Sequence, residues 1–378
     1  MLIDPYAGSW ETRYSSRGFA YQVWQPRMPW IDPEFLECTI YLYPSEADAE
    51  DGNRIGGSGF LISIPIKDSK ISVLCAVTNK HVIDSGNMVA RINTVDGRKD
   101  IIPLDGMRWF SHPHGDDVTL CPIQLGAHHQ VKCIPLHFFL TKSLIDDLEI
   151  GPGDEVFIVG RFVNHEGKQR NLPSVRFGNI SQMPWEPILI DGYPQESFLV
   201  EARSISGYSG SPVFVYLPPA PMPTFGIWTK EGKKLLNEGK IQFPGVSKKR
   251  MNSFQMQLGP WLMGVDYCHI RWDEPILSRR TQKPINDDWF IKSNTGMMGV
   301  VPVWKLTDII EGVEMKSLLD AAAEEAAKIA KKDSKVELDV ANFSRSEPPT
   351  TADNPSHRED FNRLLGAAAR KTKREDRT

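Results

Sequence analysis

No stretch of the 378-residue chain offers the run of about 18 apolar residues that a membrane-spanning helix needs. The N-terminal MLIDPYAGSWETRYSS also lacks the basic-then-apolar order of a secretion leader, so neither a span nor export by a leader is expected. Cysteine is scarce. Cys38, Cys75, Cys121, Cys133 and Cys268 are odd in number, scattered and without a CxxC pair, which argues against a disulfide framework and against a zinc site. A reducing cytoplasm fits that usage, with Cys38, Cys75 and Cys121, which lie in apolar runs, expected as small buried hydrophobes. An excess of basic charge is missing too. Lys and Arg total 44 against 48 Asp and Glu, a net charge of −4, so nothing draws the whole chain to nucleic acid or to an anionic membrane. Internal repeats of roughly 20–50 residues are absent.

What is present is apolar content of 40 %, enough for a substantial core. From about residue 36 to 125 the chain breaks into short β-branched and aromatic runs, ECTIYLY, SGFLISIPI, ISVLCAVT, MVARINT, DIIPL, MRWFS and DVTLCPI. Gly, Asp, Asn and Ser turns separate them, and the pattern predicts a meander of strands curling into a barrel. A second set follows in DEVFIVGRFV, SVRFGNIS, SFLVEARS, SPVFVYL, WLMGVDYCHI and MMGVVPV. The expected architecture is therefore all-β: an N-terminal extension over 1–35, a first barrel over 36–145 and a second over 146–313. A long insertion, 218–258, interrupts the second, with a short helix expected at TKEGKKLLNEGK. Over 314–378 the Ala, Glu and Lys of SLLDAAAEEAAKIAKK predict a helix, and disorder is expected after about Asp333. Phe361, Leu364, Leu365 and Ala368 recur at helical spacing in the tail, which fits either a partner-binding helix or a solvated end.

Chemistry concentrates in SISGYSGSPVF, Ser204 to Phe214, where Ser209 sits between glycines just ahead of a strand. Small residues there can simply mark a turn. A serine hydroxyl becomes a nucleophile only with a base in reach and a third group orienting that base. Upstream, His81 follows the strand of AVTNKHVI, and Asp116 and Asp117 open DDVTL. The order His, Asp, Ser is that of the chymotrypsin-type triad and differs from the subtilisin and α/β-hydrolase orders. An α/β-hydrolase is disfavoured further, because Ser209 lacks the second glycine of GxSxG.

GSGFLI (57–62), VTNKHVID (77–84), DDVTL (116–120), FGNIS (177–181), GYSGSPV (207–213) and GMMGVVPVWKL (296–306) together resemble the ordered landmarks of trypsin-like serine proteases, those of the HtrA (Deg) type above all. The resemblance covers roughly residues 36–313. It implies a chymotrypsin-like double β-barrel with a C-terminal helix and a disordered tail. It makes Ser209 the nucleophile, His81 the general base and then acid, and Asp117 the carboxylate that fixes the imidazole; Asp116 is a rival by type. The backbone N–H groups of Gly207 and Ser209 become the oxyanion hole, donors of a kind worth roughly 10²–10³ in rate.

The pattern is not matched throughout. Tyr208 stands where trypsin has an aspartate that receives a new N-terminus, and no IVGG-like start precedes the first strand, so activation by propeptide removal is not expected. Ser211 replaces the second glycine of GxSGGP, and nothing after position 313 has the β content of a PDZ domain. Arg203 falls near the floor of the primary pocket, where a guanidinium would favour acidic substrate side chains, or it faces solvent or pairs with Glu201. His269 falls on the pocket wall, as a substrate contact or a structural residue. His112, His114, His128 and His129 sit in loops without a Cys or carboxylate at ligand spacing and are read as structural, so no metal or cofactor is expected. The function implied is a cytoplasmic serine endopeptidase acting on protein or peptide substrates. The alternative is a silent protease-fold module. In either case a regulatory protein can dock through the insertion or the tail.

Overall fold

The computed structural model describes residues 31–343, apart from 55, 68, 70, 163–166, 191–192, 203–206, 218–257 and 287. Arg203, the helix expected in the insertion and the tail beyond 343 lie outside the described residues.

The first unit holds β1 (Thr39–Tyr43), β2 (Gly57–Pro65), β3 (Ser72–Thr78), β4 (Val89–Asn93), β5 (Lys99–Pro103), β6 (Phe110–Ser111), β7 (Thr119–Pro122) and β8 (Ile134–Pro135). Their order in the sheet is β5-β4-β1-β2-β3-β7-β6, with β8 joining β2. The second unit holds β9 (Glu155–Arg161), β10 (Pro173–Gln182), a separate hairpin of β11 (Ile188–Ile190) and β12 (Tyr193–Gln195), then β13 (Phe198–Glu201), β14 (Pro212–Leu217), β15 (Leu258–Pro275) and β16 (Phe290–Pro302). Six of these close a barrel in the order β10-β13-β16-β15-β14-β9.

Ranked by position in the chain, the six principal strands of each unit run in one cyclic order, first-second-third-sixth-fifth-fourth. This repeated Greek-key path makes the fold the all-β, chymotrypsin-like double barrel that the sequence implies. The first cylinder differs in one respect, for no ladder joins β5 to β7. The reason is local: β6 already occupies the outer edge of β7, and β5 ends on Pro103, which has no N–H to give. Met107 and Trp109 from the connection pack on the core there instead.

Strand β2 explains why the two units stay together. Residues 57–62 are all buried, so the strand shows no apolar-in, polar-out alternation. Leu61 faces the first unit's own core with Ile40, Leu42, Ala76 and Ile92, while Phe60, Ile62 and Ile64 join a larger cluster with Phe157, Val213, Val265 and Val300 of the second. In that shared cluster Phe157 stacks on Phe214 with ring centroids 4.9 Å apart, and Phe35 meets both edge-on. Cys38, Cys75 and Cys121 are buried as expected.

Four short helices decorate the strands: α1 (Glu34–Glu37), α2 (Glu46–Asp51), α3 (Lys80–Asp84) and α4 (Lys142–Leu148). Ser45 and Thr141 cap α2 and α4 by accepting the N–H of Asp48 and Leu144. Then come α5 (Trp304–Glu311) and α6 (Val313–Phe343). The sequence places a break near Asp333, yet α6 runs on to Phe343, consistent with the absence of Gly and Pro from VELDVANF. The strands expected to end near residue 270 and begin near 297 are also longer, because β15 and β16 continue as a ribbon pairing Pro275 with Phe290.

Phe157→Ala removes a fully buried ring from the cluster shared by both units. A loss of about 3–5 kcal/mol is expected, measured as a lowered urea midpoint with one cooperative transition.

Candidate active site

The ladder between β3 and β7 ends at the pair Thr78 and Thr119. Residues just outside that pair therefore share one end of the sheet. Asn79 leads into α3 on one side, and Asp116–Asp117 precede β7 on the other. Asn79 leaves its helix uncapped and donates its side-chain amide to the Asp117 carbonyl at 2.8 Å. The Asp117 carboxylate in turn accepts twice from His81, from the backbone N–H at 2.9 Å and at Nδ1 at 2.5 Å. Asp117 is held from behind as well, its N–H donating to Gln195 Oε1 at 2.9 Å. With Nδ1 fixed on a carboxylate, Nε2 of His81 is left to serve as acceptor.

Two effects oppose each other in setting the charge of His81. Partial burial lowers its pKa, but the hydrogen bond and charge of Asp117, aided by Asp266 and Asp84, raise it further, so the net shift is upward from 6.5. Asp116, the rival carboxylate, is committed elsewhere. It is buried, 3.1 Å from Lys305 Nζ and 2.7 Å from His112 Nδ1, and it accepts from Gln195 Nε2. Lys305 also reaches Glu196 at 2.8 Å, and Trp304 donates to the same carboxylate at 3.0 Å. Burial lowers the Lys305 pKa, yet Glu196 and Asp116 outweigh it and keep the ammonium charged. This ionic cluster ties α5 to the segment that presents Asp117.

Ser209 lies on the turn ahead of β14, and the turn is bolted to the first unit through Ser58 of β2. Ser58 is wholly buried, donating its N–H to the Ser209 carbonyl at 2.8 Å and its hydroxyl to the Gly207 carbonyl at 2.9 Å. The Ser58 carbonyl accepts from Thr78 Oγ1 at 2.7 Å, one residue before Asn79. So β3, which leads into the helix that carries His81, and the turn that carries Ser209 share one anchor. Close approach explains the glycines: a Cβ on Gly210, at φ 88°, would fall onto the Ser58 carbonyl and the Thr78 hydroxyl, and one on Gly57 would sit 2.7 Å from a methyl of Val82. Gly207 has φ 95°. Among the described residues the N–H groups of Gly207 and Ser209 have no backbone partner.

The hydroxyl of Ser209 is half-buried and donates to the Tyr267 carbonyl at 3.4 Å, not to His81. The site is thus assembled around an imidazole–carboxylate pair, with the hydroxyl turned to the adjacent strand. His269 stands two residues further along β15, where its Nε2 accepts from Arg271 Nε at 2.8 Å. Burial and the Arg271 charge hold its pKa below 6.5. Tyr208 is buried, its phenol 2.6 Å from Ser174 Oγ and accepting from Arg176 Nε at 2.9 Å, under a guanidinium 4.7 Å from its ring. The position therefore holds a neutral side chain anchored within the second barrel.

No family model and no curated protein matches this chain. Among solved structures it is similar to the MamO protease domain from Magnetospirillum magneticum in its apo form, at 13 % identity and a TM-score of 0.40, over 74 % of this chain and 98 % of that one. It is also similar to HBP, solved at atomic resolution, at 10 % identity and a TM-score of 0.38, over 75 % of this chain and 93 % of that one. The strand order of the two units, not these likenesses, carries the fold.

Ser58 and Gln195 are the positioning residues that the sequence does not announce. Ser58 sits inside GSGFLI, where the two glycines read as close backbone approach without saying to what. Gln195 ends the β11–β12 hairpin, which the Asp-Gly dipeptide of ILIDGYPQ signals in the sequence without indicating what the last residue of the second strand will meet. His128 and His129 do meet a carboxylate, Asp100, at 3.4 and 2.9 Å.

Replacing Ser58 by Ala strips the buried anchor of a hydroxyl that donates to the Gly207 carbonyl and accepts from Arg161 N–H at 3.4 Å, a cost of about 1–3 kcal/mol, measurable by chemical denaturation. For His81, an NMR titration is expected to give a midpoint above 6.5, and Asp117→Asn to drop it below that value, because burial remains while the carboxylate is gone. The raised pKa adds stability that is full below the unfolded value and is lost as pH rises through the folded one. An unchanged midpoint in Asp117→Asn would contradict this account.

Proposed function

We propose that the chain is a serine endopeptidase that hydrolyses peptide bonds of protein substrates through an acyl-enzyme. The observation that carries the reading is the doubly held His81–Asp117 pair, just beyond the end of β3, a strand pinned through Ser58 to the turn bearing Ser209. Ser209 Oγ turns from the Tyr267 carbonyl toward His81, passes its proton to Nε2 and attacks the scissile carbonyl carbon. The oxygen gains negative charge and is received by the N–H groups of Gly207 and Ser209. The imidazolium, stabilised by Asp117, then gives the proton to the leaving amine as the C–N bond breaks. Water, deprotonated by the same imidazole, attacks the ester and regenerates Ser209. The chemistry needs no cofactor. His269, two residues beyond Tyr267 on β15, is the proposed substrate contact on the pocket wall, and Arg203, which lies outside the described residues, is the second proposed specificity residue. The cytoplasmic setting is part of the same reading and rests on the scarce, scattered cysteines of the sequence. The insertion 218–258 and the tail remain the candidate surfaces for a regulatory protein.

One observation favours a second reading. The hydroxyl bonded to Tyr267 fits a protease-fold module that binds a partner without turnover. Apo geometry of catalytic hydrogen bonds is often loose, so the long 3.4 Å contact alone does not decide.

A fluorophosphonate probe decides between them. Labelling at Ser209 by peptide mapping, lost in Ser209→Ala and slowed by roughly 10³-fold or more in His81→Ala, is the expected result, with the acid limb of the labelling rate lying above pH 6.5 because the imidazole must be neutral. No labelling at any pH, with the protein folded, would select the silent module.

A further inference from the structure

Asp100 lies on β5 opposite Ile92 of β4, and His128 and His129 lie on the turn that follows β7. Main-chain contacts sew that turn to the β4–β5 hairpin. Thr94 bridges His129, Val95 N–H donates to the His128 carbonyl at 2.9 Å, and Gln130 N–H donates to the Asn93 carbonyl at 2.8 Å. The three side chains then converge on one oxygen. Nε2 of His129 is 2.9 Å and Nε2 of His128 is 3.4 Å from Asp100 Oδ2, and the two rings lie 3.9 Å apart. A tetrahedral ion with bonds of about 2.0–2.1 Å holds neighbouring donors about 3.3 Å from one another. Both imidazole nitrogens already stand close to that separation from Asp100 Oδ2, and the three donor atoms all lie within 4.8 Å of one another.

The surroundings of His129 suit a ligand. Its Nδ1 accepts from Gly126 N–H at 2.9 Å, which puts the ring proton on Nε2, toward Asp100. The Gly126 carbonyl lies 3.2 Å from the same Nδ1, so the other tautomer is also provided for: Nδ1–H donates to that carbonyl and Nε2 offers its lone pair. A backbone carbonyl behind the ring is the outer contact that orients metal-bound histidine. Gly126 N–H gives up its acceptor in the exchange. His129 is 4 % exposed and cannot swing away, whereas His128 at 62 % and Asp100 at 42 % leave the solvent side open to water ligands. Burial raises the Asp100 pKa, but His129, the Ile101 N–H and His128 outweigh it, so the carboxylate is anionic at neutral pH.

We propose that Asp100, His128 and His129 form a site for one divalent first-row transition ion, Zn²⁺ in the first instance, with water completing the coordination. Two imidazoles select such an ion over Mg²⁺ or Ca²⁺, which take oxygen ligands. The ion staples the post-β7 turn to β5, the strand left with an unpaired edge by the open cylinder. No carboxylate stands at local ligand spacing from these histidines in the sequence, because the one they meet is 28 and 29 residues away.

The site stands apart from the hydrolytic reading and is tested without any activity assay. Full-length protein free of an affinity tag is titrated calorimetrically with ZnCl₂ near pH 7.5, and Co²⁺ is added to a parallel sample for its visible d–d bands. One ion per chain, a higher melting temperature with Zn²⁺, and affinity reduced roughly tenfold or more by Asp100→Asn or His129→Ala are expected, with His137→Ala unchanged. Should His129→Ala fail to fold, the exposed His128→Ala gives the same comparison. No saturable binding, or equal affinity in Asp100→Asn and His128→Ala, overturns the proposal.

Discussion

Ser58 is the contact on which the geometry of the cleft depends. The shared apolar cluster brings the two units together, but apolar contact is non-directional and sets nearness better than register. Register comes from the buried polar atoms of one small residue. Its N–H and hydroxyl meet two carbonyls of the Ser209 turn, and its carbonyl meets Thr78. Each of these groups is out of water, so any slip of one unit past the other would leave several unpaired at once. The absence of bulk follows from the same demand. Gly57 and Gly210 flank the anchor on either side of the interface, and neither position has room for a Cβ.

The second constraint is the division of labour between adjacent carboxylates. Asp116 and Asp117 are adjacent, and a tight turn centred on Asp117, closed by Val118 N–H donating to the Asp116 carbonyl at 2.7 Å, gives their side chains different partners. Asp116 enters the ionic cluster with Lys305 and His112, while Asp117 faces His81. Gln195 touches both, taking the Asp117 N–H on its oxygen and giving its amide hydrogen to Asp116. The orientation of the base is thereby coupled to α5, an element from the far end of the chain.

Much of this was legible in the sequence, and the part that was not is of one kind. Strand runs bounded by turn residues predict the two sets of strands, and the order His81, Asp117, Ser209 names residues that lie just outside the ends of β3, β7 and β14. The choice of Asp117 over Asp116 comes from the resemblance, in which the residue opening the apolar DVTL run is the carboxylate; in the structure it is Asp117 that bonds His81. What stayed hidden were partners chosen by tertiary approach. Ser58 reads as one small residue among glycines, and Gln195 as a loop amide. Likewise, nothing in SVRFGNIS or in GYSG says that Tyr208 is clasped by Ser174 and Arg176. The strands β15 and β16 outran their expected ends because the ribbon beyond Cys268 is paired but exposed, with Trp272 and Phe290 at the surface, so burial gave no periodic signal there.

The electrostatics of His81 turn on solvent access. In the free protein its side chain is 48 % exposed, and water shares with Asp117 the work of stabilising the imidazolium. A polypeptide laid across the cleft would remove that water. The burial penalty on the charged ring then grows, and in its absence of a partner the ring would become too weak a base to take a serine proton. The carboxylate compensates because its attraction strengthens in the same drier medium. That balance requires Asp117 to stay ionised and fixed when covered. Two bonds to His81, one from the Asn79 amide and one to Gln195 hold it in place. The hydroxyl, held by a single long contact to Tyr267, is by comparison free to turn. In the proposed reaction, therefore, the imidazole and its carboxylate are the groups held by several bonds, and the one rearrangement required is a rotation about the Cα–Cβ bond of Ser209.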